Sequence, residues 1–227
     1  MPSIYWASDS TVAHNSAETW PQVGLGQYLT PLLAPNWVLH NHAVNGRSTK
    51  SFLDEGRLAP IYDELEAEDL LFVQFGHNDE KSEDPRRYTE PQGDYRENLL
   101  RFCRAAHNRG ARLVLISPLS RRDFDEDGRV RNLPHQPYRQ VMAELAAEEG
   151  IAYVDLTAAS ARQLELVGPE ASKAYYMHFP AGAYPQYPEG KQDDTHLREA
   201  GARIFAQILA SELLQLGAEF RGLFRED

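Results

Sequence analysis

The chain has 227 residues, 23 basic and 34 acidic, so its formal net charge is −11, with 42% hydrophobic and 25% charged residues. This is the balance of a globular chain with enough apolar side chains for a substantial core, which excludes a disordered protein, while the acidic surplus argues against coating nucleic acid or anionic membranes. A single cysteine, Cys103, excludes an internal disulfide and a cysteine-cluster zinc site.

Short apolar runs alternate with longer amphipathic stretches, the pattern of βαβ units around a parallel sheet, and no linker divides the chain, so one domain over 1–227 is expected. The predicted strands are Ile4–Ala7, Trp37–Ala43, Asp69–Phe75, Arg112–Ser117 and Ala152–Asp155. Between the third and fourth, Glu80–Gly93 reads as a polar loop. Asp94–Arg109 then reads as a helix with Tyr95, Leu99, Phe102 and Ala106 on one face. Tyr138–Glu149 repeats the pattern with Tyr138, Val141, Met142 and Leu145, and Gly150 stops it. Tyr175–Asp194, rich in Tyr, Pro and Gly, reads as a second surface loop. The last helix is expected to start near His196 and to carry Ile204, Ile208 and Leu209 to the core. No apolar run is long enough to cross a bilayer. The opening Met-Pro-Ser-Ile-Tyr-Trp lacks the basic and apolar regions of a secretory signal, so a cytoplasmic protein is expected.

The chemistry gathers after the early strands. Ser8-Asp9-Ser10-Thr11 follows the first, Asn45-Gly46-Arg47-Ser48 the second, and Gly76-His77-Asn78-Asp79 the third. Ligands of open α/β sheets bind outside the carboxyl ends of the strands, so these three segments are expected on one rim. Downstream, Asp193-Asp194-Thr195-His196 supplies an acid and an imidazole three residues apart. Together these are the parts of a nucleophilic hydrolase. Ser10 would be the nucleophile, His196 the base that takes its proton, and Asp193 the group that holds the imidazole. Donors for an oxyanion are the backbone N–H groups of Ser10 and Gly46 and the side-chain amide of Asn78, each worth on the order of 10²–10³ in rate. Glycine at 46 lets the backbone come close to the substrate with a positive φ.

Taken singly, each residue has an ordinary reading: Ser10 and Asn78 as helix caps, Asn45-Gly46 as a turn, Asp193 and His196 as surface residues at a helix start. The four blocks in order, each at an expected strand end, outweigh that reading. They resemble the SGNH (GDSL-like) hydrolases. The longer strings Asn45–Phe52, Gln74–Asp79 and Arg121–Phe124 resemble the rhamnogalacturonan acetylesterase branch. The resemblance spans Ile4 to about Ala210. It implies a flavodoxin-like three-layer α/β/α sandwich with a parallel five-stranded sheet. It further implies removal of acetyl groups from pectin sugars without metal or organic cofactor. Residue by residue, it maps Ser10 to the nucleophile, Gly46 and Asn78 to oxyanion positions, and Asp193 and His196 to the final block. Ser8 departs from it, since glycine is usual there.

The expected partner is an acetylated oligosaccharide, with no nucleic acid and no membrane. Because an acidic protein repels an acidic chain at long range, Arg47, Arg121 and Arg122 are candidate contacts to a uronate, with surface solvation or structural pairing the equal alternative. His77 is a further candidate on the rim, with packing the stronger reading. Tyr184 and its neighbours Tyr175, Tyr176 and Tyr187 are candidates to stack on sugar rings, with loop packing as good an account. The alternatives for the whole are a xylan or other sugar acetylesterase, a short-chain acyl esterase or thioesterase, and a non-catalytic sugar-binding protein. Two metal-like patterns carry less. Asp123–Gly128 opens like a calcium loop, but position twelve is Pro134, so a solvated turn is expected. His40 and His42 have no third ligand and are expected to be buried or hydrogen-bonded.

Overall fold

A computed structural model of the chain describes residues 1–131 and 135–225. Its central sheet is parallel throughout, built from β1 (Ser3–Ser8), β2 (Val38–Asn41), β3 (Leu70–Gln74), β4 (Arg112–Ile116) and β5 (Ala152–Val154), in the order β2-β1-β3-β4-β5. This is the flavodoxin-like order, with its topological switch between β1 and β3. All five strands coincide with the predicted runs to within two residues at either end, where the ladder stops and the chain turns over the rim.

Strand alternation divides the core into two layers. Ile4 and Trp6, Leu70 and Phe72, and Val114 and Ile116 face one cluster, while Tyr5 and Ala7, Leu71 and Val73, and Leu113 and Leu115 face the other. The first cluster is covered by α1 (Gly26–Leu29), α6 (Leu156–Ala171) and α7 (Glu199–Leu216). The second is covered by α2 (Thr49–Asp54), α3 (Leu58–Glu64), α4 (Arg96–Arg109) and α5 (Gln136–Glu149). Every apolar position predicted for the two long central helices is buried, from Tyr95 to Ala106 and from Tyr138 to Leu145. Gly150 ends α5 in the left-handed region, at φ 65°, where a side chain would be strained. Four further helices, α1, α2, α3 and α6, escape prediction because α1 to α3 are only four to seven residues long and α6 contains Gly168 and Pro169.

Two expectations about the last third need correction. Tyr175–Asp194 is not a plain loop: β6 (Tyr176–Phe179) and β7 (Lys191–Leu197) pair as an antiparallel hairpin. The last helix begins at Glu199 rather than near His196, so Asp193 and His196 lie on β7. The helical reading of this block fails because the segment pairs with β6 as an irregular strand, a long-range contact that its local composition does not record. Leu209 is buried in α7, and Ile204 and Ile208 pack against the same cluster, as predicted. No helix of the described residues is long and apolar enough to cross a membrane.

Candidate active site

The carboxyl ends of β1 and β3 bracket the switch point, and both are followed by tight polar turns. After β1, the N–H groups of Val12 and Ala13 donate to the Asp9 carbonyl. The buried Asp9 carboxylate accepts from Thr11 N and Thr11 Oγ1, both at 2.9 Å. Burial raises the Asp9 pKa against those hydrogen bonds and the nearby positive charge of His196 and Arg121. Ser10 sits between the two anchored residues. Ser8 explains its own departure from glycine: it is fully buried, and its hydroxyl donates to the Gln74 carbonyl at 2.6 Å, stitching β1 to β3.

A regular strand points residues three apart to opposite faces. The β6–β7 register is broken between Tyr176 and Met177: Tyr176 pairs with Leu197, whereas Met177 pairs with Asp193. The surplus residues of β7 bulge out, and a bulge of this kind re-aims side chains. Asp193 Oδ1 accepts from the backbone N–H of Thr195 and of His196, each at 2.9 Å. Its Oδ2 lies 2.8 Å from His196 Nδ1. A carboxylate only accepts, so Nδ1 carries the proton and Nε2 is left as the acceptor. Nε2 lies 2.9 Å from Ser10 Oγ, across 186 residues of sequence. Burial alone raises the Asp193 pKa, but the hydrogen bonds and charge of His196 and the Thr195 N–H override it and hold the carboxyl well below its usual range.

The expected oxyanion donors lie in the turns that follow β1, β2 and β3. Gly46 adopts φ 79°, in the left-handed region, with only a guanidinium nitrogen of Arg87 within 4 Å of where a Cβ would stand. Among the described residues no group accepts from the backbone N–H of Ser10 or of Gly46. Asn78 is 3% exposed, and its Nδ2 donates to the Arg47 carbonyl at 3.0 Å. The next residue, Asp79, is fully buried and accepts from Thr49 N, Thr49 Oγ1 and Thr89 Oγ1, tying the turn after β3 to the start of α2.

The proposed sugar contacts sort differently. Arg47 Nε bonds Glu55 at 3.1 Å and its Nη1 bonds the Asn45 carbonyl at 2.8 Å. Arg121 is spanned between Glu80 (2.6 Å), the His77 carbonyl (3.4 Å) and Thr195 Oγ1. Arg122 holds Asp194 at 2.8 Å and the Pro169 carbonyl. All three guanidinium groups therefore have protein partners. His77 is 3% exposed, and its ring stands edge-on to His135 at 4.5 Å. Tyr184 packs edge-on to Phe179 at 4.7 Å and, with half-exposed Trp20, Pro21, Arg198 and Arg203, lines a cleft of about 410 Å³. Tyr175 packs edge-on to Phe205, and Tyr176 is fully buried.

His40 stacks on Tyr5, rings 4.7 Å apart, and His42 is tilted against the same ring; both are half-buried, and neither ring has a hydrogen-bond partner among the described residues. In the calcium-loop mimic Asp125 Oδ1 accepts from Asp127 N and Arg129 N, closing a turn on itself, while Pro134 lies outside the described residues. No cluster of three or more His, Cys, Asp or Glu suited to a metal occurs among the described residues. Sequence reasoning missed Arg87, whose guanidinium reaches Asn78 from the polar loop 80–93 and leaves no pattern in the sequence.

An α/β/α sandwich that brings a serine, an imidazole and a carboxylate into one hydrogen-bonded line at its switch point is a serine hydrolase in architecture. Residues 5–204 match the GDSL-like lipase/acylhydrolase family, and the chain belongs to it as a carboxylic ester hydrolase. It is 36% identical over 214 residues to a rhamnogalacturonan acetylesterase of Bacillus subtilis, covering 94% of this chain and 90% of that protein. A probable rhamnogalacturonan acetylesterase of the same organism is also 36% identical, covering 94% and 93%. The crystal structure of protein YxiM from Bacillus subtilis superposes with a TM-score of 0.80 at 25% identity, covering 96% of this chain and 57% of that longer one.

Proposed function

We propose that the protein is a serine carbohydrate acetylesterase that removes acetyl groups from rhamnogalacturonan (pectin) oligosaccharides. The observation that carries the substrate class is near-full-length likeness, at 36% identity, to proteins named for that activity. The chemistry rests on the Ser10–His196–Asp193 line, with contacts of 2.9 and 2.8 Å. His196 Nε2 takes the Ser10 proton as Oγ attacks the acetyl carbonyl. The oxyanion is received by the N–H groups of Ser10, Gly46 and Asn78, which supply charge stabilisation where it develops. Collapse breaks the bond to the sugar oxygen, which leaves with the proton from His196, and acetyl-Ser10 remains. Water then gives its proton to the same nitrogen, attacks the acetyl group and releases acetate, regenerating Ser10. Asp193 holds the ring in the tautomer that both steps use and offsets the imidazolium charge.

Acetate release from acetylated rhamnogalacturonan oligosaccharides, acetylated xylo-oligosaccharides and p-nitrophenyl esters of increasing acyl length tests the assignment. The first should show the highest kcat/KM by more than about tenfold, a preference a shaped polar pocket supplies. A faster reaction on the xylo-oligosaccharides or on longer acyl chains overturns the substrate class. Failure of a fluorophosphonate to label Ser10 overturns catalysis itself.

A further inference from the structure

A backbone N–H has its direction set by the chain, but a side-chain amide can turn over. A turned-over Asn78 would present a carbonyl to the developing negative charge and oppose the reaction. The surroundings of Asn78 decide between the two orientations. Nδ2 donates to the Arg47 carbonyl at 3.0 Å, and Oδ1 accepts from Arg87 Nη1 at 3.2 Å. A guanidinium has five N–H donors and no acceptor, so the reversed amide would set NH₂ against the guanidinium and a carbonyl against a carbonyl. In the observed orientation both atoms are engaged, and one Nδ2 hydrogen has no partner among the described residues. Arg87 is itself fixed: Nε donates to Asp84 Oδ2 at 2.7 Å, and its backbone N–H donates to the Asp84 carbonyl at 3.0 Å. The same Nη1 stands 4.0 Å from the Cβ position of Gly46, so the guanidinium borders two of the three donor residues.

We propose that Arg87 is a positioning residue that locks the Asn78 amide with its free N–H toward the oxyanion. The proposal rests on the esterase reading above. Arg87 touches no reacting atom; it acts through Asn78 alone, and that restriction makes it testable.

The experiment is a double-mutant cycle on p-nitrophenyl acetate with wild type, Ser10→Ala, Arg87→Ala, Asn78→Ala and the Arg87→Ala/Asn78→Ala double variant, each checked for folding by circular dichroism. Arg87→Ala should lower kcat about tenfold and leave KM within about twofold, because the loss belongs to the transition state. In the Asn78→Ala background the same change should cost no more than about twofold, since nothing remains to be positioned. An unchanged kcat, a loss confined to KM, or an equal loss in both backgrounds overturns the proposal. Arg87→Lys keeps the charge but replaces the planar fork with a single point donor, and should fall between wild type and Arg87→Ala. If Arg87→Ala does not fold, Arg87→Lys takes its place in the cycle, and the same three results overturn the proposal. Activity retained by Ser10→Ala overturns the esterase reading as a whole, whereas an inactive Ser10→Ala with an unaffected Arg87→Ala overturns this inference only.

Discussion

At the scale of single residues, the serine, imidazole and carboxylate have unequal tasks, and their variants should show it. On p-nitrophenyl acetate, Ser10→Ala and His196→Ala are each expected to lose about 10⁶-fold in kcat, because either removal ends nucleophilic attack. Asp193→Ala is expected to lose about 10⁴-fold, since it orients and offsets charge but moves no proton. Equal losses in all three would overturn that division of roles. Asp193 also bears on acid stability. Its carboxyl is held lower in the fold than in the unfolded chain, so its contribution is in place above the unfolded value near about 4 and is lost as pH falls toward the folded value. The five residues of the proposed relay and oxyanion site were readable in the sequence because each sits in a short block tied to a strand end. Arg87 was not, because its meaning lies in one contact with Asn78, nine residues away around a loop.

At the scale of elements, the turn after β3 depends on Asp79, which ties it to Thr49, the first residue of α2, and to Thr89. Burial outweighs these hydrogen bonds and pushes the Asp79 pKa up to about 7. A carboxyl raised on folding binds its proton more tightly in the folded state. The stability it contributes is therefore fully present below the unfolded value near about 4 and is lost as pH rises through about 7. Asp79→Asn does not titrate. Thermal melts should show the advantage of wild type over Asp79→Asn shrinking by more than about 4 °C between pH 4 and pH 8. A difference that stays constant would mean that Asp79 is charged throughout. The misread element is equally instructive. Asp193–His196 has the polar composition of a helix start, yet it belongs to a bulged strand whose pairing partner, Tyr176–Phe179, lies about fifteen residues upstream. Local composition carries no record of a cross-strand register.

At the scale of the whole molecule, the net charge of −11 sets a long-range field that repels acidic oligosaccharides. The arginines around the site offset little of it, because Arg47, Arg87, Arg121 and Arg122 are paired with Glu55, Asp84, Glu80 and Asp194. Salt screens exposed charges beyond about 8 Å at physiological strength. Between about 20 and about 300 mM NaCl, kcat/KM on an acetylated oligosaccharide that carries uronates should therefore rise about two- to tenfold, while that on neutral p-nitrophenyl acetate stays within about twofold. A fall on the acidic substrate would instead reveal a net attractive site.

By itself the sequence determined the class of fold, the five strand positions, the faces of the two long central helices and the residues offered as nucleophile, base, acid and oxyanion donors. These are properties of hydrophobic period and short motifs, which a linear chain states openly. The tertiary structure alone decided that Asp193 and His196 meet on a bulged strand, that three expected sugar-contacting arginines are occupied by protein carboxylates, and that Arg87 faces the Asn78 amide. Each of those outcomes depends on side chains brought together by separate elements, and the contact exists only once the sheet, the hairpin and the loop have packed.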